Sequence, residues 1–253
     1  MTEPAWGIRP VLFHIGTVSV EAYPFFLSLA LLTGLAIYFG QLRRDAVRSP
    51  DALYIVLFAL IGGTIGSKLP IVVMYWKEIA ASKASLAGLL SGRTIVGGLI
   101  GGAAGTFLAK KIFGIKRRMG NQIAIPVAAA MAVGRLGCLF RGCCYGQPTN
   151  LPWALDFGDH IGRHPTQLYE LLFDLALAAF LIREKKRESE PGALFRLFLN
   201  CYLTFRFFLE FIRVEKVALL GLTDFQLLSL VSVLFINRQV LHRLFKGKGE
   251  RIS

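Results

Sequence analysis

GRLGCLFRGCCYGQPTNLPWALDFGDHIGRHPTQLYE, residues Gly134 to Glu170, decides how this chain is read. The stretch opens at the end of an apolar run long enough to cross a bilayer, and it sets Arg135 near hydrocarbon depth. Glycines, Cys138, Cys143 and Cys144 follow, and then a His164–Pro165 pair. A charge at that depth is costly unless it is paired or binds something, so an intramembrane arginine is a candidate functional residue by default. Arg206 and Glu210 give the same signal on a later apolar segment, where their i,i+4 spacing puts them on one helix face.

Working outward, composition sets the class. The 253 residues are 54% hydrophobic, and the mean hydropathy is +0.54, well above the soluble range. Seven segments approach the ~20 residues that span a ~30 Å hydrocarbon core. They cover residues 20–40, 52–76, 94–113, 122–140, 166–182, 193–211 and 217–236. The first is expected to be a retained span, because its head balances one arginine against one glutamate and lacks a small-residue cleavage site. The expectation is an all-α integral membrane protein, with residues 1–253 as a single transmembrane domain.

Charge gives the orientation. With the N-terminus outside, the loops and tail on the inner side hold seventeen Lys and Arg against eight outside, the remaining four lying in or at the ends of spans. The positive-inside rule then places the C-terminus in the cytoplasm. The same bias accounts for the net charge of +13, through basic loops facing anionic lipid, so nucleic acid is not required as a partner. The loop 141–165 becomes the main outer-side connection, with turn-forming residues throughout and a short strand or interfacial piece at 151–157. Trp6, Trp76 and Trp153 fall near outer span ends, as an aromatic belt requires. The basic tail beyond Gln239 is expected to lie on the inner membrane surface.

Several residue groups admit more than one reading. Glycines at 61–67 and 96–105 suit close helix packing, or a backbone kept thin for a lipid. Cys201 lies in an apolar span and reads as a small core residue. Cys138, Cys143 and Cys144 form C-x4-C-C near the outer side, where disulfides are permitted. They are open to a local disulfide, to packing, to zinc ligation with His164 although the spacing matches no recognised pattern, or to a thiolate nucleophile activated by Arg135 or Arg141. His164 is the best-placed imidazole for acid–base work, or else anchors the fifth span. Glu170 either orients that histidine or pairs with an arginine. No cofactor motif is present: the chain has no P-loop, no dinucleotide fingerprint and no His-Glu-x-x-His.

Two arginines on different spans suit one ligand class. A phospholipid brings a phosphodiester to the interface, and guanidinium forks grip phosphate bidentately in a way an ammonium does not. Arg135 and Arg206 together could clamp one phosphate and stabilise a departing phosphoglycerol. The alternative is that they merely pair with Glu170 and Glu210 to hold spans together.

Four stretches bring a family into view: Tyr23 in EAYPFFLSLALLTG, VGGLIGG from Val96, GRLGCLFRGCCYG followed by RHPTQLYE, and YLTFRFFLEFIR from Tyr202 to Arg213. In order and spacing, over nearly its whole length, the chain resembles the prolipoprotein diacylglyceryl transferases of bacterial inner membranes. That resemblance implies seven spans with the N-terminus outside. It also implies phosphatidylglycerol, or a related anionic phospholipid, as donor, and the lipobox cysteine on a prolipoprotein signal peptide as acceptor. It assigns catalysis to Arg135, Arg206 and Glu210, with His164 and Cys143 as further candidates. Substrate binding falls on Tyr23, Gly97, Gly98, Cys138, Gly142, Gly146, Tyr202 and Arg213. The chain departs from the family's pattern in three places. Val96 stands where the family has the histidine of His-Gly-Gly, and Cys138 and Cys143 replace the signature's asparagine and glutamate, which marks a divergent, cysteine-containing branch. Two rival readings remain: transfer of a phospholipid-derived group to a different acceptor, which these departures favour, and lipid transport without chemistry.

Overall fold

The computed structural model describes residues 8–45, 51–74, 94–116, 119–187, 190–215, 217–219 and 221–238. Seven helices carry the fold: α1 (Ala22–Arg44), α2 (Asp51–Met74), α3 (Ile95–Phe113), α4 (Gly120–Arg141), α5 (Thr166–Lys185), α6 (Ala193–Leu209) and α7 (Asp224–Ile236). Their order follows the seven apolar segments. By length and apolarity, α1, α2, α3 and α4 can each cross a membrane, and α1 also leaves much of its apolar surface outward, with Leu32 62% exposed. Such an outward face suits lipid rather than water. Trp6, Trp76 and the tail from residue 239 lie outside the described residues.

The last expected span is shorter than its apolar run. Before it, β5 (Val217–Leu219) pairs antiparallel with β6 (Leu222–Thr223), and Gly221 has φ +75°. Helix α7 is therefore 13 residues long, about 20 Å at 1.5 Å per residue. Thr223 starts it with a capping box, its hydroxyl accepting from the Gln226 backbone while the Gln226 side chain accepts from the Thr223 N–H. Two more hairpins supplement the helices. Strand β1 (Val11–Ile15) pairs with β2 (Val18–Glu21) just before α1, and β3 (Leu155–Asp156) pairs with β4 (Gly162–Arg163) within the 141–165 loop.

The described residues form two compact units, one of Met1–Ala46 with Arg118–Ser253 and one of Val47–Arg117. In the smaller unit α2 and α3 pack along their length. Gly62 and Gly66 of α2 face Gly97, Gly101 and Gly105 of α3 so closely that a Cβ on any of them would collide with the opposing helix. This is a small-xxx-small interface, in which glycine lets two backbones touch where lipid supplies no hydrophobic drive.

In the larger unit α1 and α5 pack on α4, and α6 contacts α4, α5 and α7. Here too α4 uses small residues, with Gly137 lying where a Cβ would press on Phe26 and Tyr23 of α1. Away from the loop-bearing end, Lys185 ties α5 to Gln41 and Asp45 of α1, and Asn200 and Asn237 exchange side-chain hydrogen bonds between α6 and the end of α7. Asn121 accepts from the N–H groups of Gly192 and Leu194 at the start of α6, satisfying donors that a helix start leaves open.

Replacing Gly101 by Ala is expected to lower stability by roughly 1–3 kcal/mol through overpacking. Gly40→Ala, where nothing lies within 4 Å of the new methyl, should raise it by about 0.5–1 kcal/mol. Thermal unfolding of the two variants in detergent checks both signs.

Candidate active site

Helix α4 ends in a Schellman motif. The Cys143 N–H donates to the Cys138 carbonyl at 3.1 Å and the Gly142 N–H to the Leu139 carbonyl at 3.0 Å. Gly142 has φ +70°, which a glycine adopts without the Cβ penalty. Ile8 packs against it. This turn explains the glycine of the RGCC run and aims the three cysteines together. Cys144 also holds a left-handed backbone, with φ 67°.

Beyond the turn, residues 144–148 run between two neighbours. Gly146 donates its N–H to the His164 carbonyl at 2.8 Å, His164 donates back to Gln147 at 3.1 Å, and Gln147 donates to Ile212 at 2.7 Å. The Gln147 side chain reaches the carbonyls of Phe211 and Arg213. A side chain at Gly146 would strike His164, Thr166 and the Ile212 carbonyl, so only glycine fits the junction. From the start of α5, the Thr166 hydroxyl donates to the Cys144 carbonyl and Gln167 donates to that of Cys143 at 2.6 Å. The sequence HPTQ is thus a latch that fixes the cysteine turn against α5.

Behind this lattice lies a buried charge cluster. Arg135 pairs with Glu170. Arg206 pairs with Glu210 at 2.5 Å. Arg213 reaches Glu170 at 3.6 Å, Glu210 at 3.7 Å and Glu215 at 3.0 Å, joining the two pairs. Glu170 and Glu210 are 0% and 2% exposed and the arginines of α4 and α6 only 5% and 7%, which takes the cluster out of water. Thr223 also donates to Glu210.

Several polar atoms in the cluster lack hydrogen-bond partners among the described residues: the Arg135 Nε, both oxygens of Asp174 and the Tyr202 hydroxyl. Tyr202 is fully buried and within electrostatic reach of Arg135, Arg206, Arg213 and Asp174. Buried polar groups of this kind are ordinarily met by a partner, ordered water included.

The expected site residues therefore separate into groups. Arg135, Arg206, Glu210, Tyr202 and Arg213 come together. Cys138, Cys143, Gly142 and Gly146 line the adjoining turn. Tyr23, at the start of α1, lies against Gly137, and Arg141 sits over its ring at 5.2 Å. The His164 ring is held by a tyrosine: its Nδ1 lies 3.2 Å from the Tyr169 hydroxyl, which accepts from Trp153 at 2.8 Å. Gly97 and Gly98 belong to the α2–α3 unit. Of the open readings of Glu170, pairing with arginine is the one observed. Asp174 escaped the sequence reading, although its signal is there: it stands at i+4 from Glu170, an acid on the inward face of an apolar segment.

All four cysteines are free. The sulfurs of Cys138, Cys143 and Cys144 lie within 4.8 Å of one another. Hydrogen bonds with Cys138 and Cys143 hold the Cys144 thiol well below its ordinary range, and Arg213 and Arg135 add to that. The same contacts push Cys143 up. In the loop, the Arg163 hydrogen bond holds the Asp159 carboxyl below the usual carboxylate range.

A family model described as prolipoprotein diacylglyceryl transferase matches residues 10–240. Among relatives, a phosphatidylglycerol–prolipoprotein diacylglyceryl transferase of Dehalococcoides mccartyi is 31% identical over 92% of this chain and 95% of its own length. Proteins of that name from Clostridium tetani and Clostridioides difficile are 29% and 27% identical, over 90% and 88% of this chain and 96% and 91% of theirs.

Removing Glu170 leaves Arg135 buried without its carboxylate. Glu170→Ala is expected to cost about 3–5 kcal/mol. Glu184→Ala, which breaks a pair with an Arg187 that is 80% exposed, should cost under about 1 kcal/mol. Parallel unfolding measurements decide.

Proposed function

Because the chain belongs to the prolipoprotein diacylglyceryl transferase family, we propose that it moves the diacylglyceryl group of phosphatidylglycerol onto the lipobox cysteine of prolipoproteins. It acts as one seven-span domain in the bacterial inner membrane, with the N-terminus outside and the C-terminus in the cytoplasm. The observation that carries the reading is the buried cluster in which Arg135, Arg206 and Arg213 gather around Glu170 and Glu210.

Phosphatidylglycerol enters laterally and brings its phosphodiester to the guanidiniums. Each arginine already has a carboxylate partner, so the lipid phosphate binds through donors that those pairs do not use, such as the Arg135 Nε. The acceptor thiol sulfur attacks the glyceryl carbon of the diacylglyceryl group. An S–C bond forms, the C–O bond to phosphate breaks, and glycerol phosphate departs with the electron pair. Its added charge develops beside Arg135 and Arg206, where fixed donors out of water are most effective. Glu210 holds Arg206 in place, and Arg213 links the two ion pairs. The proton of the acceptor thiol passes to His164, whose ring is held by Tyr169. Tyr23, Cys138, Gly142, Gly146 and Tyr202 shape the binding surface, with Cys143 beside the reacting groups.

Arg135→Lys and Arg206→Lys keep a cation opposite the glutamate but lose the fork. Each should cut release of glycerol phosphate from labelled phosphatidylglycerol, in the presence of a lipobox peptide, by ~10²–10³-fold. Full turnover in both variants would sink the clamp. Release with unrelated acceptors, or lipid movement without bond cleavage, would favour the rival readings. Complementation of a strain lacking its lipoprotein transferase is the expected cellular result.

A further inference from the structure

We infer that Cys138, Cys143 and Cys144 form a three-thiolate site for a zinc-like cation, whose fourth position takes the acceptor thiol. This rests on the transferase reading for the identity of the acceptor, but the metal site itself stands on geometry. The Schellman turn and the HPTQ latch bring the three sulfurs within 4.8 Å of one another, and Cys143 and Cys144 are 3.8 Å apart. Zinc–sulfur bonds of ~2.3 Å in a trigonal or tetrahedral set place sulfurs about 3.8–4.0 Å apart, so small rotations of the side chains complete the set.

The surroundings suit the charge. Three thiolates around a divalent cation carry one net negative charge, and Cys138 follows Arg135 by less than one turn of α4. A structural zinc site uses four protein ligands, whereas three leave a position for a reactant. Soft thiolate donors select zinc over the hard cations of the cell exterior.

Chemistry supplies the reason for such a site. A thiol is a poor nucleophile until it loses its proton, and a metal-bound thiol is deprotonated outright. With the acceptor bound to the cation, its S–H bond breaks and the proton leaves to His164. The S–C bond then forms at the glyceryl carbon while the C–O bond to phosphate breaks, and no oxidant or reductant takes part.

The test uses Co2+ as a spectroscopic probe on the reduced, full-length protein in detergent. One equivalent of Co2+ should produce a thiolate-to-cobalt charge-transfer band and visible d–d bands, which Zn2+ then removes. Cys138→Ser, Cys143→Ser and Cys144→Ser should each abolish or markedly weaken the band, and Cys201→Ser should not. Elution of each variant as a monodisperse peak controls for folding. Adding a lipobox peptide should strengthen the charge-transfer band, and the same peptide with serine for cysteine should not. Absence of a saturable band, or a band indifferent to the three substitutions, overturns the site. A band that ignores the cysteine peptide overturns the role of the fourth position. Undiminished lipid transfer by metal-free protein overturns the inference and leaves the transferase reading intact. A cobalt site that responds to the peptide in a protein unable to transfer lipid would uphold the site and overturn the transferase reading instead.

Discussion

Taking Arg135 out of water constrains much of the larger unit. An isolated buried guanidinium is costly enough that the fold must bring a carboxylate to it, and the one it brings is Glu170, thirty-five residues on. That pairing requires α4 and α5 to lie side by side with their loop-bearing ends in register. The intervening loop must then fold back, which it does through the β3–β4 hairpin and the Gly146–Gln147 junction. Arg213 draws the end of α6 into the same arrangement by reaching both Glu170 and Glu210.

The cluster is not an efficient way to hold helices together. Apolar side chains of similar volume would serve packing as well or better, and α2 and α3 do so with glycine alone. The network also leaves an arginine nitrogen, a carboxyl group and a tyrosine hydroxyl without hydrogen bonds among the described residues. A purely structural network would tend to close such gaps. In the arrangement observed, Glu170 and Glu210 hold Arg135 and Arg206 in place.

In the proposed reaction the arginine cluster meets the anionic lipid, and the cysteine turn is the other half of the group transfer. One side of the site needs positive charge to receive a leaving phosphate, and the other needs a sulfur nucleophile stripped of its proton. The backbone between Cys138 and Gly146 connects the two halves rigidly, through the Schellman cap and the side chains of Thr166 and Gln167. A shift of either half would be felt by the other.

The amino-acid sequence alone determined the membrane class, the number and order of apolar segments and the small set of polar residues that had to be explained. Hydropathy and charge at depth are properties of local composition, because the bilayer acts on each segment separately. The glycines of 96–105 left close helix packing and a backbone kept thin for a lipid both open, and the α2–α3 contact is the one observed. Tertiary structure alone decided the partnerships. Only there does Glu170 choose Arg135 rather than His164, does the His164 ring turn to Tyr169, and does Asp174 join the cluster. The same holds for the last apolar run, expected from residue 217, where β5 pairs with β6 before α7 begins. Each of these outcomes depends on which side chains meet across elements distant in sequence, and no local pattern encodes that geometry.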